Sequence, residues 1–450
     1  MSARARIAVI SAVCLGLGAA ATGLHSLAIR TASQADSFEA LGSASKAIVL
    51  VLLGLTVLLG CRHLVMLGLA LWEHWMHRAA PPPTQAQAAN VPFVSIVVPA
   101  FNEAPMIGAV LESLLAVRYP GFEVIVVDDG SSDHTFLRAL AFRRRRDVEF
   151  RVLTKSNGGK FDALNHGIAQ ARGEIVVCID GDSVLHPDAV RHCVAHFDDP
   201  RVGAVAGKVR IANRGTAWTV LQALEYLVGY GLAKRAQSAA RAVFIVPGPL
   251  GAFRKSALAQ VGGYEGDSFA EDFDLTLKLL GAGWHAVYEP RALVFTEAPE
   301  RTLDLLRQRY RWTRGSLQAL RKRAAHLGTP FADPLRFGAL CYLAFESLAL
   351  PALHVAAQIL FVVGGLWLGA HELLIHWWLQ LMLLECAVVA FCLAVEDESP
   401  GLVLLVPVYR CFYMVVLDVA RVLSALEEFR GVAMGWDKIA RLGSIRPANA

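Results

Sequence analysis

The distribution of apolar residues along the chain constrains its fold more than any other feature. These residues are concentrated in two blocks, the first 76 residues and the stretch from about 337 to 423. They raise the apolar share of the 450 residues to 55%, while charged residues make up 18%. A helix crosses a bilayer core with about 20 apolar residues, and both blocks contain runs of that length. We therefore expect membrane-spanning helices on both sides of a soluble domain.

The N-terminal block divides into two predicted spans, residues 7–29 and residues 47–72. The first has no Asp, Glu, Lys or Arg and follows Arg4 and Arg6, which favours an uncleaved anchor with a cytoplasmic N-terminus over a signal peptide. The C-terminal block predicts further apolar segments at about 337–369, 374–394 and 402–424. The first has Pro351 at its middle, so it is either a kinked span or an interfacial helix followed by a span.

Several features of the chain narrow its function class. Glu346 and Glu385 lie inside apolar runs, where each either pairs with a neighbouring helix or lines a polar channel. The net charge of +4 and the lack of a basic arm interleaved with aromatic residues predict no nucleic-acid binding. The eight cysteines show neither metal-binding spacing nor a disulfide framework. The run Arg143–Arg146 is read as a solvated helix end near the membrane surface, with contact to anionic lipid as the alternative.

Short β-rich runs alternate with predicted helices in the middle of the chain. The predicted strands are 93–100, 122–127, 148–153 and 174–179. Such alternation predicts an α/β domain with a mostly parallel sheet, in which ligands bind at the carboxyl ends of the strands. The polar residues that follow these strands are Asn102, Glu103, Asp128, Asp129, Asp180 and Asp182.

The triplet Asp180-Gly-Asp182 is the predicted metal site. Two carboxylates beside a glycine form a hard, oxygen-rich donor set, which Mg²⁺ or Mn²⁺ prefers together with water and phosphate oxygens. An isolated triplet of this kind is more often a loop with solvated acids. Its position directly after a predicted strand favours the metal site.

Three other motifs offer polar groups that suit ligand binding or proton transfer. Asp128-Asp129 is placed to accept hydrogen bonds from a base or ribose, or it forms an Asx turn that caps the next helix. Lys160 follows two glycines and opens a helix, an arrangement that suits phosphate oxygens, with a solvent-exposed loop as the bland alternative. Glu271-Asp272 supplies either a general base or an ordinary acidic first helical turn.

The segment Gln308–Trp312 (QRYRW) lies in a basic amphipathic stretch, residues 302–325. Its cations suit phosphate and its tryptophan suits the face of a sugar. Anchoring at the membrane–water interface is the simpler interpretation of the same residues.

Taken together, these motifs resemble those of processive family 2 glycosyltransferases. VSIVVPAFNE, VIVVDDGSSD, NGGKFDALNHG, CIDGDS, GPLGAFRKSAL, AEDFDL and QRYRW occur in that family's order and rough spacing. The likeness is nearest to the poly-β-1,6-N-acetylglucosamine synthases of bacteria and more distant to hyaluronan, chitin-oligosaccharide and cellulose synthases. It implies a GT-A (Rossmann-like) cytoplasmic domain flanked by transmembrane and interfacial helices.

The resemblance also implies a role for each matching residue. Asp272, next to Glu271, would be the catalytic base, and Asp182 with Asp180 would hold Mg²⁺ or Mn²⁺. The nucleotide-sugar would contact Pro99, Glu103, Asp128, Asp129, Lys160 and Asp180. The acceptor and diphosphate would contact Gly248, Gly251, Phe253, Gln308, Arg309, Arg311 and Trp312.

The implied organisation has five parts. Residues 1–80 would hold two transmembrane helices, 81–300 the GT-A domain, 301–333 the amphipathic helices, 334–425 the C-terminal transmembrane helices and 426–450 a short tail. The protein would lie in the bacterial inner membrane and polymerise a UDP-sugar, with UDP-N-acetylglucosamine as the expected donor, onto a growing exopolysaccharide of the biofilm type. Its partners would be the donor, the polysaccharide, the bilayer and a small membrane accessory subunit.

Two alternative functions stay open on the sequence alone. One is a non-processive transferase that makes a lipid-linked sugar. The other is a transporter or channel with a degenerate transferase domain, which explains the spans but not the intact set of carboxylates.

Overall fold

The computed structural model describes residues 42–79, 91–142, 148–323, 334–367, 371–433 and Gly443. The predicted first span, the run Arg143–Arg146 and most of the predicted tail lie outside these residues. The chain divides into two compact units. The first, called the membrane unit after the spans that the sequence predicts, contains the described residues up to His74, Leu227–Ala236 and Phe345–Leu423. The second, called the catalytic unit after the transferase domain that the sequence predicts, contains the described residues of Trp75–Tyr226 and Gln237–Ala344 and those from Ser424 onward.

The catalytic unit is built on one eight-stranded sheet with the strand order β3-β2-β1-β4-β7-β6-β8-β5. The strands are β1 (Val94–Ala100), β2 (Phe122–Asp128), β3 (Glu149–Thr154), β4 (Ile175–Cys178), β5 (Val184–Leu185), β6 (Val202–Ile211), β7 (Gly251–Arg254) and β8 (His285–Thr296).

Helices cover the sheet because its central strands are apolar along their whole length. All seven residues of β1 are buried, as expected of a parallel strand that is covered on both faces. The helices of this unit are α2 (Ile107–Leu115), α3 (Thr135–Phe142), α4 (Lys160–Gln170), α5 (Ala189–Val194), α6 (Ala217–Val228), α7 (Arg235–Ala239), α8 (Lys255–Val261), α9 (Glu271–Gly281), α10 (Thr302–Arg323) and α11 (Pro334–Ala344).

The sheet has a parallel half and a mixed half. Strands β3, β2, β1 and β4 run parallel to one another, as the strand–helix alternation of the sequence predicts. Strand β7 is antiparallel to both β4 and β6, β8 is parallel to β6, and β5 is antiparallel to β8. The α/β class is therefore confirmed, and the reversal at β7 carries the loop before it back to the edge where β4 ends.

Helix α10 is packed closely against the segment that leads into α9. A Cβ added at Gly315 would lie 2.6 Å from the backbone nitrogen of Ala270. Ser268 Oγ donates a hydrogen bond to the carbonyl of Gly315 at 3.2 Å, and the backbone N–H of Phe269 donates to Gln318 Oε1 at 3.3 Å. Since only glycine permits this approach, the sequence of α10 fixes its distance from the start of α9.

The C-terminal end of helix Met414–Phe429, the last long helix among the described residues, is hydrogen-bonded to α10. Arg314, a buried side chain of α10, donates to Glu428 Oε2 at 2.7 Å and to the hydroxyl of Tyr310 at 2.6 Å. Gln318 also donates to Glu428, at 3.1 Å. These bonds satisfy an arginine that would otherwise be buried without a partner.

The membrane unit consists of long apolar helices. Among the described residues, four helical stretches are long and apolar enough to cross a membrane: Lys46–Met76, Cys341–Val363, Trp378–Glu396 and Pro400–Phe429. They belong to α1 (Ser43–Ala79), α11 with α12 (Leu350–Trp367), α13 (His371–Glu396), and α14 (Val406–Val408) with α15 (Met414–Phe429). The ends of three of these stretches, Trp75–Met76, Cys341–Ala344 and Ser424–Phe429, are assigned to the catalytic unit.

Charged residues inside the membrane unit are paired. Glu346 accepts a 2.8 Å hydrogen bond from Arg62, and Glu385 lies 3.4 Å from Arg410 Nε. Arg235 is bound by two carboxylates, Glu73 at 2.7 Å and Glu396 at 2.9 Å. Pairing of this kind lowers the cost of burying charge in an apolar surrounding.

Candidate active site

The carboxyl ends of β1, β2 and β4 meet at one edge of the sheet. The backbone N–H of Asp129 donates to the carbonyl of Ala100 at 2.9 Å, which joins the loops after β2 and β1. A Cβ added at Gly181 would lie 2.8 Å from the carbonyl oxygen of Pro99. The glycine of the Asp180-Gly-Asp182 triplet is thus required for the loop after β4 to lie against the end of β1.

The loop after β1 is fixed by hydrogen bonds from its backbone. Asn102 has a left-handed φ of 52°, and its N–H donates to Ser131 Oγ at 2.9 Å. The next N–H, of Glu103, donates to Thr135 Oγ1 at 2.8 Å. These bonds hold Glu103, a predicted nucleotide-sugar contact, beside Gly181, from whose added Cβ its Cγ would lie 3.3 Å.

Asp128 ends β2 and is almost completely buried, with 3% of its surface exposed. Its Oδ2 accepts 3.3 Å hydrogen bonds from the Ser131 N–H and the Thr154 hydroxyl. Its Oδ1 is buried and accepts no hydrogen bond from the described residues. A buried acceptor without a donor is costly, so this oxygen is suited to a donor group of a ligand.

Asp129, its neighbour, organises the glycine-rich loop before α4. Its carboxylate accepts the backbone N–H groups of Gly158 at 3.0 Å and Gly159 at 2.8 Å, and binds Lys155 Nζ at 2.8 Å. Gly159 has a left-handed φ of 93°, which disfavours any residue with a Cβ. Asp129 therefore shapes the turn that presents Lys160.

Lys160 lies between carboxylates that come from two distant parts of the chain. Its Nζ is 2.6 Å from Asp180 Oδ1 and 3.1 Å from Glu271 Oε1. Burial alone would lower the pKa of this amine, but Asp180, Glu271 and Asp272 together hold the pKa well above its ordinary value. Lys160 is therefore a permanent cation of the site.

Gly248 leaves room for this cluster. A Cβ at this position would lie 2.6 Å from Lys160 Nζ and 3.0 Å from Asp180 Oδ2. The Gly248 N–H also donates to Asp272 Oδ2 at 3.3 Å. The loop before β7 thus lies against the C-terminal end of β4 and the N-terminal end of α9.

Asp272 is the carboxylate of this cluster whose proton affinity is raised most clearly. Burial, and after it the negative charge of Glu271, raises the pKa of Asp272 to about 6, although Lys160 acts in the opposite direction. Burial would also raise the pKa of Glu271, but Lys160 and Arg311 outweigh it and leave this pKa below its usual value. The two adjacent carboxylates therefore have different proton affinities. Asp272 is the candidate base, and Glu271 is the ion-pairing residue.

Asp180 and Asp182 form a donor set that fits a hard divalent cation. Asp182 is 7% exposed and accepts a 3.1 Å hydrogen bond from the Ser183 hydroxyl. Burial, and the negative charge of Asp182, raise the pKa of Asp180, while Lys160 opposes the rise. An additional cation beside these two carboxylates would relieve that repulsion, and Mg²⁺ or Mn²⁺ binds through one or two carboxylates with phosphate and water.

A second acidic cluster in the described part of the chain is occupied by cations of the protein. The oxygens of Glu265, Asp267 and Asp274 lie within 4.8 Å of one another. Lys322 binds all three carboxylates, and Arg323 binds Asp274 at 2.8 Å and Glu265 at 2.6 Å. This cluster ties the end of α10 to α9.

The predicted residues of α10 do not all face the same way. Gln308 is buried, and its Oε1 accepts no hydrogen bond from the described residues. Arg309 is also buried and binds Glu225 Oε2 at 2.6 Å, with its guanidinium carbon 4.2 Å from the ring centroid of Trp312. Arg311 lies close enough to Glu271 to affect its pKa. The predicted contacts of these residues with acceptor and diphosphate stay predictions.

Gly251 and Phe253 lie in β7, the strand next to β4, and thus below the carboxylate cluster. Both are buried in β7, opposite Cys178 and Val176 of β4. The ring of Phe253 packs edge-on against Tyr264, with the centroids 6.3 Å apart. The sequence predicts contact of these two residues with the acceptor, and their burial shows that they also support the strand beside β4.

Sequence reasoning missed several residues that hold the predicted ones in place. Asn165 clamps the backbone of Tyr264 through two hydrogen bonds, of 2.9 and 2.8 Å. Lys155 binds Asp129, and Glu225 binds Arg309. Asn165 and Lys155 lie in or next to the NGGKFDALNHG motif and could have been singled out there, whereas Glu225 lies in an apolar helix without any recognisable motif.

The sheet and its carboxylate-lined edge have the architecture of a GT-A domain. Residues 92–315 match the family model described as "Glycosyltransferase like family 2", and this part of the chain belongs to glycosyltransferase family 2. The predicted family 2 domain and its GT-A-like fold are therefore confirmed.

Curated relatives agree with this assignment. The chain is 36% identical over 237 residues to the poly-β-1,6-N-acetyl-D-glucosamine synthase of Staphylococcus epidermidis. The aligned residues make up 52% of this chain and 57% of that protein. This chain is 35% identical over 228 residues to the synthase of the same name from Staphylococcus aureus strain COL, covering 50% and 55%. The chain thus spans about half the length of the curated relatives it matches.

The solved structure shows a similar fold. The mannosyltransferase PcManGT from Pyrobaculum calidifontis, solved in complex with GDP-Man and Mn²⁺, superposes with a TM-score of 0.60 at 24% identity. The likeness covers 86% of this chain and 100% of that one. At this identity it supports the fold alone.

Proposed function

We propose that the protein is a membrane-embedded, inverting and processive β-glycosyltransferase that polymerises a UDP-sugar into an exported polysaccharide. The observation that carries the proposal is the convergence of Lys160, Asp180 and the Glu271-Asp272 pair within one ion-paired cluster. It supplies a permanent cation for the diphosphate, carboxylates for a metal, and a carboxylate with raised proton affinity. UDP-N-acetylglucosamine is the proposed donor, supported by the named synthases that are 35–36% identical.

The residues at the strand ends are suited to hold the nucleotide. The unpaired Oδ1 of Asp128 would accept a hydrogen bond from the uracil or ribose, and Pro99, Glu103 and Asp129 would shape the surrounding loops. Lys160 would move its ion pair from the carboxylates to the diphosphate oxygens. Asp180 and Asp182 would hold Mg²⁺ or Mn²⁺, and a metal bound there would stabilise negative charge on the leaving diphosphate.

Asp272 is proposed to act as the catalytic base. Its carboxylate takes the proton from the acceptor hydroxyl while that oxygen forms a bond to the anomeric carbon. The bond between the anomeric carbon and the diphosphate oxygen breaks on the opposite side, its electron pair leaves with UDP, and the configuration inverts. A pKa of about 6 leaves Asp272 mostly ionised at neutral pH, so that it can accept the proton.

Helix α10 is proposed to bind the acceptor end of the growing chain. Gln308 offers a buried amide oxygen, Arg311 lies near Glu271, and Trp312 keeps 37% of its surface exposed. An exposed indole beside polar groups suits the apolar face of a sugar ring. Gly248 would line the same pocket, with Gly251 and Phe253 beneath it.

The location proposed for the protein is the bacterial inner membrane, with the catalytic unit on the cytoplasmic side where UDP-sugars are made. The four apolar helical stretches support membrane embedding by their length and composition. Export of the polymer and a small accessory subunit belong to the same proposal.

A donor panel tests this function. Full-length protein in nanodiscs is incubated with UDP-N-acetylglucosamine, UDP-glucose, UDP-N-acetylgalactosamine or GDP-mannose and with Mg²⁺ or Mn²⁺, and nucleotide release, product length and linkage are measured. We expect UDP release and long β-linked chains with UDP-N-acetylglucosamine, and only residual UDP release without long chains with Asp272→Asn. Monosaccharyl-lipid as the sole product would favour the non-processive transferase. No nucleotide release from any donor by a folded protein would favour the transporter.

A further inference from the structure

Arg309 is a buried cation whose position is set by a residue outside the family motifs. Only 3% of its side chain is exposed, and its Nη2 lies 2.6 Å from Oε2 of Glu225 on α6. The Glu225 side chain is itself 17% exposed. A buried guanidinium takes the direction that its carboxylate partner allows, because leaving that partner exposes an uncompensated charge to an apolar surrounding.

The other side of this guanidinium faces Trp312. Its carbon lies 4.2 Å from the centroid of the indole, within the range of a cation–π contact. Trp312 retains 37% of its surface exposed, so the indole is partly covered by Arg309 and partly open. The guanidinium therefore restricts the orientation of an aromatic ring that is accessible to a ligand.

The helix that carries Glu225 is itself hydrogen-bonded to the segment before α10. One turn earlier on α6, Gln222 donates to the carbonyl of Pro299 at 2.8 Å. Asn213, before the helix, exchanges two hydrogen bonds with the backbone of Ala298, at 2.8 and 2.9 Å. Residues three apart on a helix share a face, so Gln222 and Glu225 both face the chain that leads into α10.

We propose that Glu225 is a positioning residue which, through Arg309, holds the indole of Trp312 in the orientation that binds the acceptor end of the growing polysaccharide. This inference rests on the proposed polymerase function. It gives Arg309 the task of orienting Trp312, while Lys160 and Arg311 supply the cations nearest to the carboxylate cluster.

A buried ion pair is weak evidence for stability, since apolar side chains of similar volume often stabilise a protein equally well. The advantage of an ion pair over an apolar contact is that it fixes the orientation of the two side chains. Apolar side chains in place of Glu225 and Arg309 would fill the space but would allow the Trp312 indole several rotamers. The charged pair allows only one arrangement. The expected consequence of losing Glu225 is therefore a weaker acceptor interaction rather than a weaker donor interaction.

The test separates KM for the acceptor from KM for the donor in full-length protein. The substrates are UDP-N-acetylglucosamine and a β-1,6-linked N-acetylglucosamine pentamer, and the variants are Glu225→Gln and Arg309→Lys. Both variants should raise the acceptor KM at least fivefold and shorten the product, with the donor KM changed less than twofold. Arg309→Lys keeps the charge but loses the planar group that stacks on the indole, so it tests the contact with Trp312 even where Glu225→Gln does not fold.

The matched control is Asp304→Asn, which removes the acidic partner of an exposed arginine, Arg307, on the same helix. It should leave both KM values and the product length unchanged. Variants that are less heat-stable but keep the wild-type acceptor KM and product length would overturn the inference and leave the polymerase function standing. A wild-type protein that releases no UDP from any donor would overturn the polymerase function and this inference with it.

Discussion

The amine of Lys160 lies 2.6 Å from Oδ1 of Asp180, and the same amine reaches Glu271 at 3.1 Å. One cation thus joins the glycine-rich loop, the Asp180-Gly-Asp182 triplet and the start of α9. Diphosphate oxygens are the natural competitors for this amine, because they carry the same kind of charge as the carboxylates it binds. The proposed donor would enter a site whose charges are already arranged for it.

Replacing this amine should impair the reaction severely. Lys160→Met keeps the length of the side chain and removes its charge, and we expect kcat/KM for the donor to fall about 100-fold or more, as when one charged stabilising group is removed from an active site. Lys160→Arg should recover part of the loss. Steady-state UDP release measures both. Arg191→Met, which removes a half-exposed cation on another helix, should behave as wild type, and an unchanged kcat/KM in Lys160→Met would contradict the role of the amine.

The raised pKa of Asp272 predicts an acidic limb in the pH profile. A base must be deprotonated to act, so kcat/KM should be half-maximal near pH 6 and should fall about tenfold per pH unit below it. Activity between pH 5 and 8 at constant ionic strength checks this. The Asp272→Asn variant should show only residual activity without that limb. A wild-type profile that is flat through pH 6 would assign the base elsewhere.

The two adjacent aspartates after β2 should respond differently to substitution. Asp128→Ala removes a buried acceptor that is free for the nucleotide, so KM for the UDP-sugar should rise about 10- to 100-fold. Asp129→Ala instead releases the N–H groups of Gly158 and Gly159 and removes one of the two carboxylates that bind Lys155, leaving Asp162. It should make the loop 155–160 more sensitive to proteolysis and lower kcat, and added UDP should restore little protection. Equal effects of the two variants on KM alone would contradict this division.

Glu123, at the opposite end of the sheet, should matter for stability only. It is fully buried and accepts hydrogen bonds from Ser95 Oγ at 2.7 Å and the Arg172 N–H at 2.9 Å. Burial would raise its pKa, but these bonds and the charge of Arg172 outweigh it and lower the pKa. Glu123→Gln should therefore cost about 2 kcal/mol at neutral pH.

The sign of the pH effect follows from the lowered pKa of Glu123. Its contribution to the free energy of unfolding is present above the unfolded-state pKa of about 4.3 and is lost as the pH falls below it. Thermal unfolding at several pH values measures this. Glu149→Gln is the matched control, because Glu149 also binds Arg172 but is half exposed, and it should change stability by less than about 0.5 kcal/mol. A Glu123→Gln protein as stable as wild type at neutral pH would rule out this role.

The fold and the family could be predicted from the sequence because their signals are local. Each strand of the parallel half is a short apolar run, and each run is followed by polar residues that must lie at a strand end. That pattern led from Asp128 and Asp180 to one edge of a sheet, and the structure brings both residues to that edge. The apolar blocks at the two ends of the chain likewise identify long apolar helices without reference to tertiary contacts.

The partners of the site residues were decided only by the tertiary structure. Nothing near Lys160 in the sequence shows that its amine lies between Asp180 and Glu271, and Glu225 is 84 residues from the arginine it binds. Neighbouring residues such as Asp128 and Asp129 look equivalent in the sequence, yet one keeps a free buried oxygen and the other binds a loop. Periodicity and motif order report which residues share a strand or a helix, whereas charge pairing, burial and the resulting pKa shifts depend on distances that exist only after the chain has folded.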